Sequence, residues 1–433
     1  MPSQKTKCVA LAAAAICLAT SVLLYRSALS PVRNIPKHTE PRSAPWPQFG
    51  GPNRDFTTET IDLATTWPDD GPPRLWQRPL GEGYSGIVAD HARLYTMVRE
   101  SDDEIVIALD PDTGETIWTH RYPAAIDADT YPSRYGLGPR STPLIVGDRI
   151  YTVGFNGTMN CLRTTTGQPI WAVDLLDEYD GSVRRWGYAC SPMAINGAVV
   201  VFVGGKGASI VALDQATGRP VWKRHDYENS YASPLLIDVE GRSQLVCFMS
   251  RHILGLDPDG GDLLWEHEHE NQWRNNIVNP LWCPDNLLFV TSEGDAGGRL
   301  LELADDGART IVRRRWQSGK LRISHRNAVR IGQHIYATTG DFGPAFFTAF
   351  DIRTGEIAWR RRDFSESALL RAGNQLLVLE ETGNLALVTA TPQGLTVHAQ
   401  QSLLNDPAWT PPTLIEKQLF LRDRKNILAL QLP

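Results

Sequence analysis

Short apolar runs, each broken by Gly, Asp or Asn, succeed one another from about residue 73 to the end of the chain. Pro143-Leu144-Ile145-Val146-Gly147-Asp148-Arg149-Ile150-Tyr151-Thr152-Val153 is typical: β-branched residues on either side of a Gly-Asp pair predict two short strands and a tight turn. Similar runs begin at Pro192, Pro234, Pro280, Ala328, Leu370 and Pro412. Several lead into a shared element, Ala108-Leu109-Asp110 followed by Thr113-Gly114 and then Trp118, which recurs at 212–222, 255–265 and 349–359 and, with Arg163 in place of Asp, at 161–171. The Thr-Gly pair predicts a turn in which glycine takes positive φ, and the Trp lies on one further strand. Each unit therefore reads as four strands.

Trp76, Trp118, Trp171, Trp222, Trp265, Trp316 and Trp359 follow one another at intervals of 42, 53, 51, 43, 51 and 43 residues. A period in the forties belongs to propeller blades. Counting the strands that carry these residues, with a degenerate one at Val397, gives eight outer strands. After Val397 the chain supplies only inner strands, ending at Asn426-Ile427-Leu428-Ala429-Leu430. The strand holding Trp76 can fill the vacant place, and closing the ring in this way removes two exposed sheet edges. The expected fold is all-β: a single eight-bladed β-propeller of four-stranded antiparallel blades over residues 73–433, preceded by a lead-in at 46–72. The tryptophans are expected to pack between blades.

Composition adds a compartment. The 433 residues hold 43 Lys+Arg against 49 Asp+Glu, a net charge of −6, with no long basic run, so a nucleic-acid surface is not expected. An apolar share of 42% and a charged share of 21% exclude a disordered or multi-span membrane chain. Residues 1–7 carry Lys5 and Lys7, residues 8–25 are apolar and uncharged, and residues 26–45 hold Pro31, Pro36, Pro41 and Pro45. These read as a cytoplasmic n-region, a single-pass transmembrane signal-anchor and a tether, which places the propeller on the periplasmic side of a bacterial inner membrane. Cys8 and Cys17 fall in the anchor. Cys161, Cys190, Cys247 and Cys283 lie in or beside strands and read as buried free thiols, with one disulfide as the alternative.

In a propeller, the loops between blades and those joining second to third strands converge around the channel. The candidate binding residues there are Arg185, Trp186, Tyr188, Lys206, Tyr231, Arg251, Trp273, Arg274, Asn275, Glu293, His325, Arg326 and Asp341. Aromatic and Arg residues suit a peptide, carboxylate or sugar. The alternative is that they fill the wide hole of the ring and bond neighbouring blades. Glu266-His267-Glu268-His269-Glu270 reads as a charged edge strand, with a metal-holding histidine pair as the alternative. Neither GxSxG nor HExxH occurs, and no catalytic or metal-binding residue is assigned.

The repeated ALDxxTGxxxW pattern resembles the pyrroloquinoline quinone (PQQ) type repeat of quinoprotein dehydrogenases and BamB-type propellers. Trp46-Pro47-Gln48-Phe49-Gly50-Gly51-Pro52-Asn53-Arg54 is similar to the lead-in of bacterial members, with Gly50 where Arg is usual. The resemblance implies the propeller fold and two alternative roles. One is a membrane-tethered, non-catalytic scaffold with protein or peptide partners. The other is a small-molecule binder or PQQ-dependent oxidoreductase using the channel face, with Ca²⁺ held by Glu, Asn and Asp oxygens. The adjacent-cysteine pair, the long insertions and the haem-attachment CxxCH of the dehydrogenases do not occur, so the scaffold is the expected role and no cofactor is expected.

Overall fold

A computed structural model describes residues 45–58, 63–126, 131, 133–307, 309–340 and 344–433. The n-region, the signal-anchor, nearly all of the tether and Asp341 lie outside the described residues. Among the described residues no helix is long and apolar enough to cross a membrane.

Among the described residues the strands form eight sheets, each with an antiparallel four-strand ladder, and Thr57–Thr58 adds a short parallel strand to one of them. Blades 1 to 7 occupy residues 88–123, 144–174, 193–224, 235–268, 281–318, 329–361 and 367–402. Blade 8 joins Thr413–Ile415, Gln418–Arg422 and Asn426–Gln431 to Arg74–Pro79 from the other end of the chain. Trp76 faces Ala429 and Pro79 faces Asn426, so early and late segments share one ladder, as the strand count requires. Second and third strands are buried on both faces, as in Leu94–Glu100 and Ala208–Asp214. Outer strands alternate, with only the Trp face turned inward, as in Pro220–Arg224.

The repeated residues owe their identity to the joint between blades. In four of the copies the Asp caps its own turn: Asp110 Oδ1 accepts from the backbone N–H of Asp112 and Thr113, both at 2.9 Å, and Asp214, Asp257 and Asp351 do the same. The turn glycine then receives the preceding blade's tryptophan. A Cβ on Gly167, which has φ +70°, would lie 2.4 Å from Trp118. Trp118 Nε1 also donates to Thr164 O at 2.8 Å, and Trp76, Trp171, Trp222, Trp316 and Trp359 donate to the next blade in the same way. Trp265 faces a blade without a Thr-Gly turn and donates instead to Gln244 Oε1 at 2.6 Å.

This joint makes a sharp expectation. Gly147 also has positive φ, but a Cβ there would meet nothing within 4 Å. Gly147→Ala is therefore expected to cost only left-handed strain, about 1–2 kcal/mol. Gly167→Ala adds overpacking of about 1–3 kcal/mol. Equal losses for the two variants in denaturant titrations would remove the packing argument.

Cys161, Cys190, Cys247 and Cys283 are buried free thiols. The Glu266 to Glu270 segment is the expected edge strand as far as Glu268, with its glutamates exposed, and departs from it only at His269. Its strand, Leu263–Glu268, stops before His269, and that imidazole is fully buried, while His267 is half-buried. Alternation from Trp265 sets both histidines on the inward face and leaves Glu266, Glu268 and Glu270 exposed, and Asn276 Nδ2 donates to Met249 O, Ser250 O and His269 O.

Candidate functional site

The channel wall follows from register. Four residues before the inner strand of each blade stand Tyr84, Arg140, Ala189, Tyr231, Ile277, His325 and Trp409, and in blade 7, whose inner strand starts earlier, Glu366 holds the equivalent position. All eight line one cavity of about 900 Å³. Extended backbone brings alternate residues to one side. Accordingly a second ring lies two positions on and includes Thr142, Ser191, Ser233, Asn279 and Asn327. That ring ties blades together: Thr142 N–H donates to Ser191 Oγ, Ser191 N–H to Ser233 Oγ and Ser233 N–H to Asn279 Oδ1, each at 2.9 Å.

The lead-in is the floor of this funnel. Trp46 exchanges backbone hydrogen bonds with Ala89, and Pro47 O accepts from Ile145 N–H at 2.8 Å. Arg54, buried and with φ +58°, donates to Gln48 Oε1 at 3.1 Å and Pro192 O at 3.2 Å. Thr57–Thr58 then pairs in parallel with the inner strand of blade 7. The segment thus crosses from blades 1, 2 and 3 to blade 7, with Phe49, Arg54, Asp55 and Phe56 lining the cavity.

The wall has two halves. On one, Tyr84 stacks on Trp409 with centroids 4.8 Å apart, Trp409 meets Tyr135 at 5.1 Å, and Tyr135 meets Trp186 at 5.4 Å. Arg140 donates to Trp186 O at 2.7 Å and lies over Tyr84, while Arg185 lies over Trp186 at 5.3 Å. Burial pulls the Arg140 guanidinium below its usual pKa.

The other half is polar. Buried Arg326 reaches Glu381 Oε2 at 3.3 Å and Glu366 Oε2 at 3.9 Å, and burial lowers its pKa to about 10. Trp409 Nε1 donates to Glu381 at 3.2 Å. His325 Nε2 lies 3.2 Å from Glu366, and its Nδ1 lies 3.2 Å from Ser324 Oγ, which donates to Glu293 at 3.0 Å. Desolvation, then the adjacent Arg326, hold the His325 pKa well down. Asn275 Nδ2 is 3.4 Å from Glu293 Oε1.

Of the residues singled out from sequence, Arg185, Trp186, Tyr231, Trp273, Asn275, Glu293, His325 and Arg326 line the cavity. Tyr188 does not: it is buried between blades and donates to Phe202 O at 2.8 Å. Lys206 is exposed on a strand turn. Arg251 and Arg274 both pair with Glu270 at 3.3 Å outside the cavity. Tyr84, Arg140, Tyr135, Glu366, Glu381 and Trp409 were not singled out. The signal for four of them was register, since each stands where Tyr231 and His325 stand in their own blades.

A family model described as outer membrane protein assembly factor BamB matches residues 102–361 and again 251–402. The chain belongs to this PQQ-like propeller family. A BamB from Aliivibrio fischeri is 28% identical over 156 residues, which are 36% of this chain and 36% of that protein, so the match spans about a third of its relative. BamB from Moraxella catarrhalis aligns over 83% of this chain and 97% of its own with a TM-score of 0.56 and 17% identity. Quinohemoprotein alcohol dehydrogenase from Comamonas testosteroni aligns over 90% of this chain and 81% of its own with a TM-score of 0.63 and 14% identity. At such identities these two structures bear on the fold alone.

The quinone and calcium implied by the dehydrogenase side of the family do not fit the described residues. Calcium asks for six or more oxygens. Among the described residues the one converging His, Cys, Asp and Glu group is His325, Glu366 and Glu381, which contains an imidazole and has the Arg326 guanidinium against both carboxylates. The flat faces of Tyr84 and Trp409 are stacked on each other, which leaves no slot between them for a planar ring.

Proposed function

We propose that this chain is a non-catalytic assembly scaffold, exported and tethered to a bacterial inner membrane by residues 8–25, whose funnel on the periplasmic side holds a segment of a partner protein. The carrying observation is the aromatic wall of Tyr84, Trp409, Tyr135 and Trp186, backed by Arg140 and Arg185. Large rigid aromatics and guanidiniums are the residue types that anchor protein interfaces, and a recessed wall gives them the desolvation they need. The names of the relatives, outer membrane protein assembly factors, support the same reading.

A photo-crosslinking residue at Trp186 or Trp273 in intact cells is expected to yield one discrete protein adduct, and one at exposed Val221 on an outer strand none of that mass. Identical patterns from all three positions would refute docking in the funnel. A second reading, a small-molecule site, is favoured by the cavity volume of about 900 Å³, which lies in the range of ligand pockets. Adding PQQ and Ca²⁺ to the purified protein and following dye-linked alcohol oxidation separates the two. Turnover would replace the scaffold by an enzyme.

A further inference from the structure

We propose that the outer edge of blades 5 and 6 is a docking surface for an anionic lipid bilayer. Charge on this ring is segregated. Residues 309–362, which hold the outer strand of blade 5 and the whole of blade 6, carry 12 Lys+Arg and 3 Asp+Glu, a net of +9. The rest of the propeller with its lead-in, 46–308 and 363–433, carries 25 against 45, a net of −20. Within the basic segment Arg313, Arg314, Lys320, Arg360 and Arg362 are exposed, and none has a carboxylate partner among the described residues. Four further arginines of the same edge do pair with acids, so these five are the charge that is left over.

The second observation is that the cations are gathered. Arg360 Nη2 donates to Lys320 O across the joint of the two blades. The guanidiniums of Arg360 and Arg362 both lie over the half-buried Phe346 ring, at 5.4 and 4.9 Å from its centre. Burial, and then neighbouring Arg322, pull the Arg360 guanidinium below its usual pKa, the mark of like charges crowded together. Folding gains nothing from such repulsion, and a surface of opposite sign removes it. Cations around an aromatic ring are also the composition of segments that seat at a lipid interface.

A bilayer is the occupant because of the tether, and to that extent the inference rests on the anchor proposed above. Residues 26–45 are 20 residues long, about 25 Å as a flexible coil, which holds the ring permanently near lipid while letting more than one of its faces approach. Charge then selects the face: the acidic remainder of the ring is repelled by an anionic surface and this edge is drawn to it. The funnel opens on a face of the ring and not on its edge, so seating on blades 5 and 6 leaves the mouth free for a partner.

The test uses the full chain in nanodiscs of phosphatidylcholine, alone or mixed equally with phosphatidylglycerol, with a spin-labelled headgroup as quencher. A fluorescent amino acid replaces Gly319, where a Cβ meets nothing within 4 Å, or exposed Val221 on blade 3 as the reference. Quenching at 319 should exceed that at 221 in the phosphatidylglycerol discs, match it in phosphatidylcholine, and fall away in high salt. Arg313→Gln combined with Arg362→Gln should lower the docked-to-free ratio by about 10- to 30-fold, and Arg313→Lys with Arg362→Lys should preserve it. Equal quenching at the two positions, the same excess in both lipids, indifference to salt, or a Gln pair that behaves like the parent overturns the proposal. A chain that does not enter the discs removes the anchor and this docking together. A chain that enters without the signal at 319 removes the docking alone and turns this edge toward an acidic protein.

Discussion

Replacing Arg422 by Met is expected to be among the most damaging single changes in the ring, at about 3–5 kcal/mol of unfolding free energy. The guanidinium is fully buried on the second strand of blade 8, and its bonds reach into blade 1: Nη1 donates to Ser85 O, Thr96 Oγ1 and Met97 O, and Nη2 to Gly83 O, at 2.8 to 3.1 Å. Burial holds its pKa down to about 9, with Asp423 partly opposing. Carbonyls and a hydroxyl, not a carboxylate, satisfy this cation, so Met would leave several buried acceptors without a donor, each costing about 1–3 kcal/mol before relaxation. Lys offers a single nitrogen at the end of its stem and cannot span the same set, so Arg422→Lys should recover little. Denaturant titration of the two variants reads the loss. Limited proteolysis should find new cuts at 80–87, where blade 1 parts from blade 8. A loss under about 1 kcal/mol would mean that Trp76 and the shared ladder hold the ring shut without Arg422.

What the amino-acid sequence discloses here depends on repetition. The Trp–Gly joint recurs, so its residues stand out by period, and the vacant outer strand of blade 8 follows from counting. Ring closure needed no further information. The funnel wall is a repeat of position and not of residue type: Tyr84, Ala189, His325 and Trp409 share one register and no chemistry, so only those beside other aromatics or arginines drew attention. The floor was invisible for a different reason. Residues 46–58 occur once and have no second copy to set a register, and their contacts run to strands far along the chain, as in the pairing of Thr57 with Arg371. His269 misled because EHEHE reads as a solvated charged strand, whereas its alternation sets the two histidines on the face of buried Trp265 and only the glutamates in solvent.

His269 is also where acid is expected to act on the fold. Its imidazole is fully buried, with Ser292 Oγ at 3.0 Å from Nε2 and the Phe248 ring at 5.0 Å, while Arg299 and half-buried His267 are the charged or titratable groups that bear on it. Desolvation, the largest cause, lowers its pKa to about 3, against about 6.5 for an exposed imidazole. The folded protein thus keeps His269 neutral where the unfolded chain protonates it. The stability it contributes is complete above pH 6.5 and is lost on descending toward pH 3, at roughly 1.4 kcal/mol per pH unit. His267 and His325, also depressed by burial, add in the same direction. Glu104 opposes them, because burial raises its pKa and favours the folded state as it protonates. His269→Gln should lower stability at neutral pH by trading one buried polar group for another, yet flatten the acid limb by about one proton's worth. Urea titrations at several pH values give both numbers, and a variant profile parallel to that of the parent would place the proton uptake on other groups.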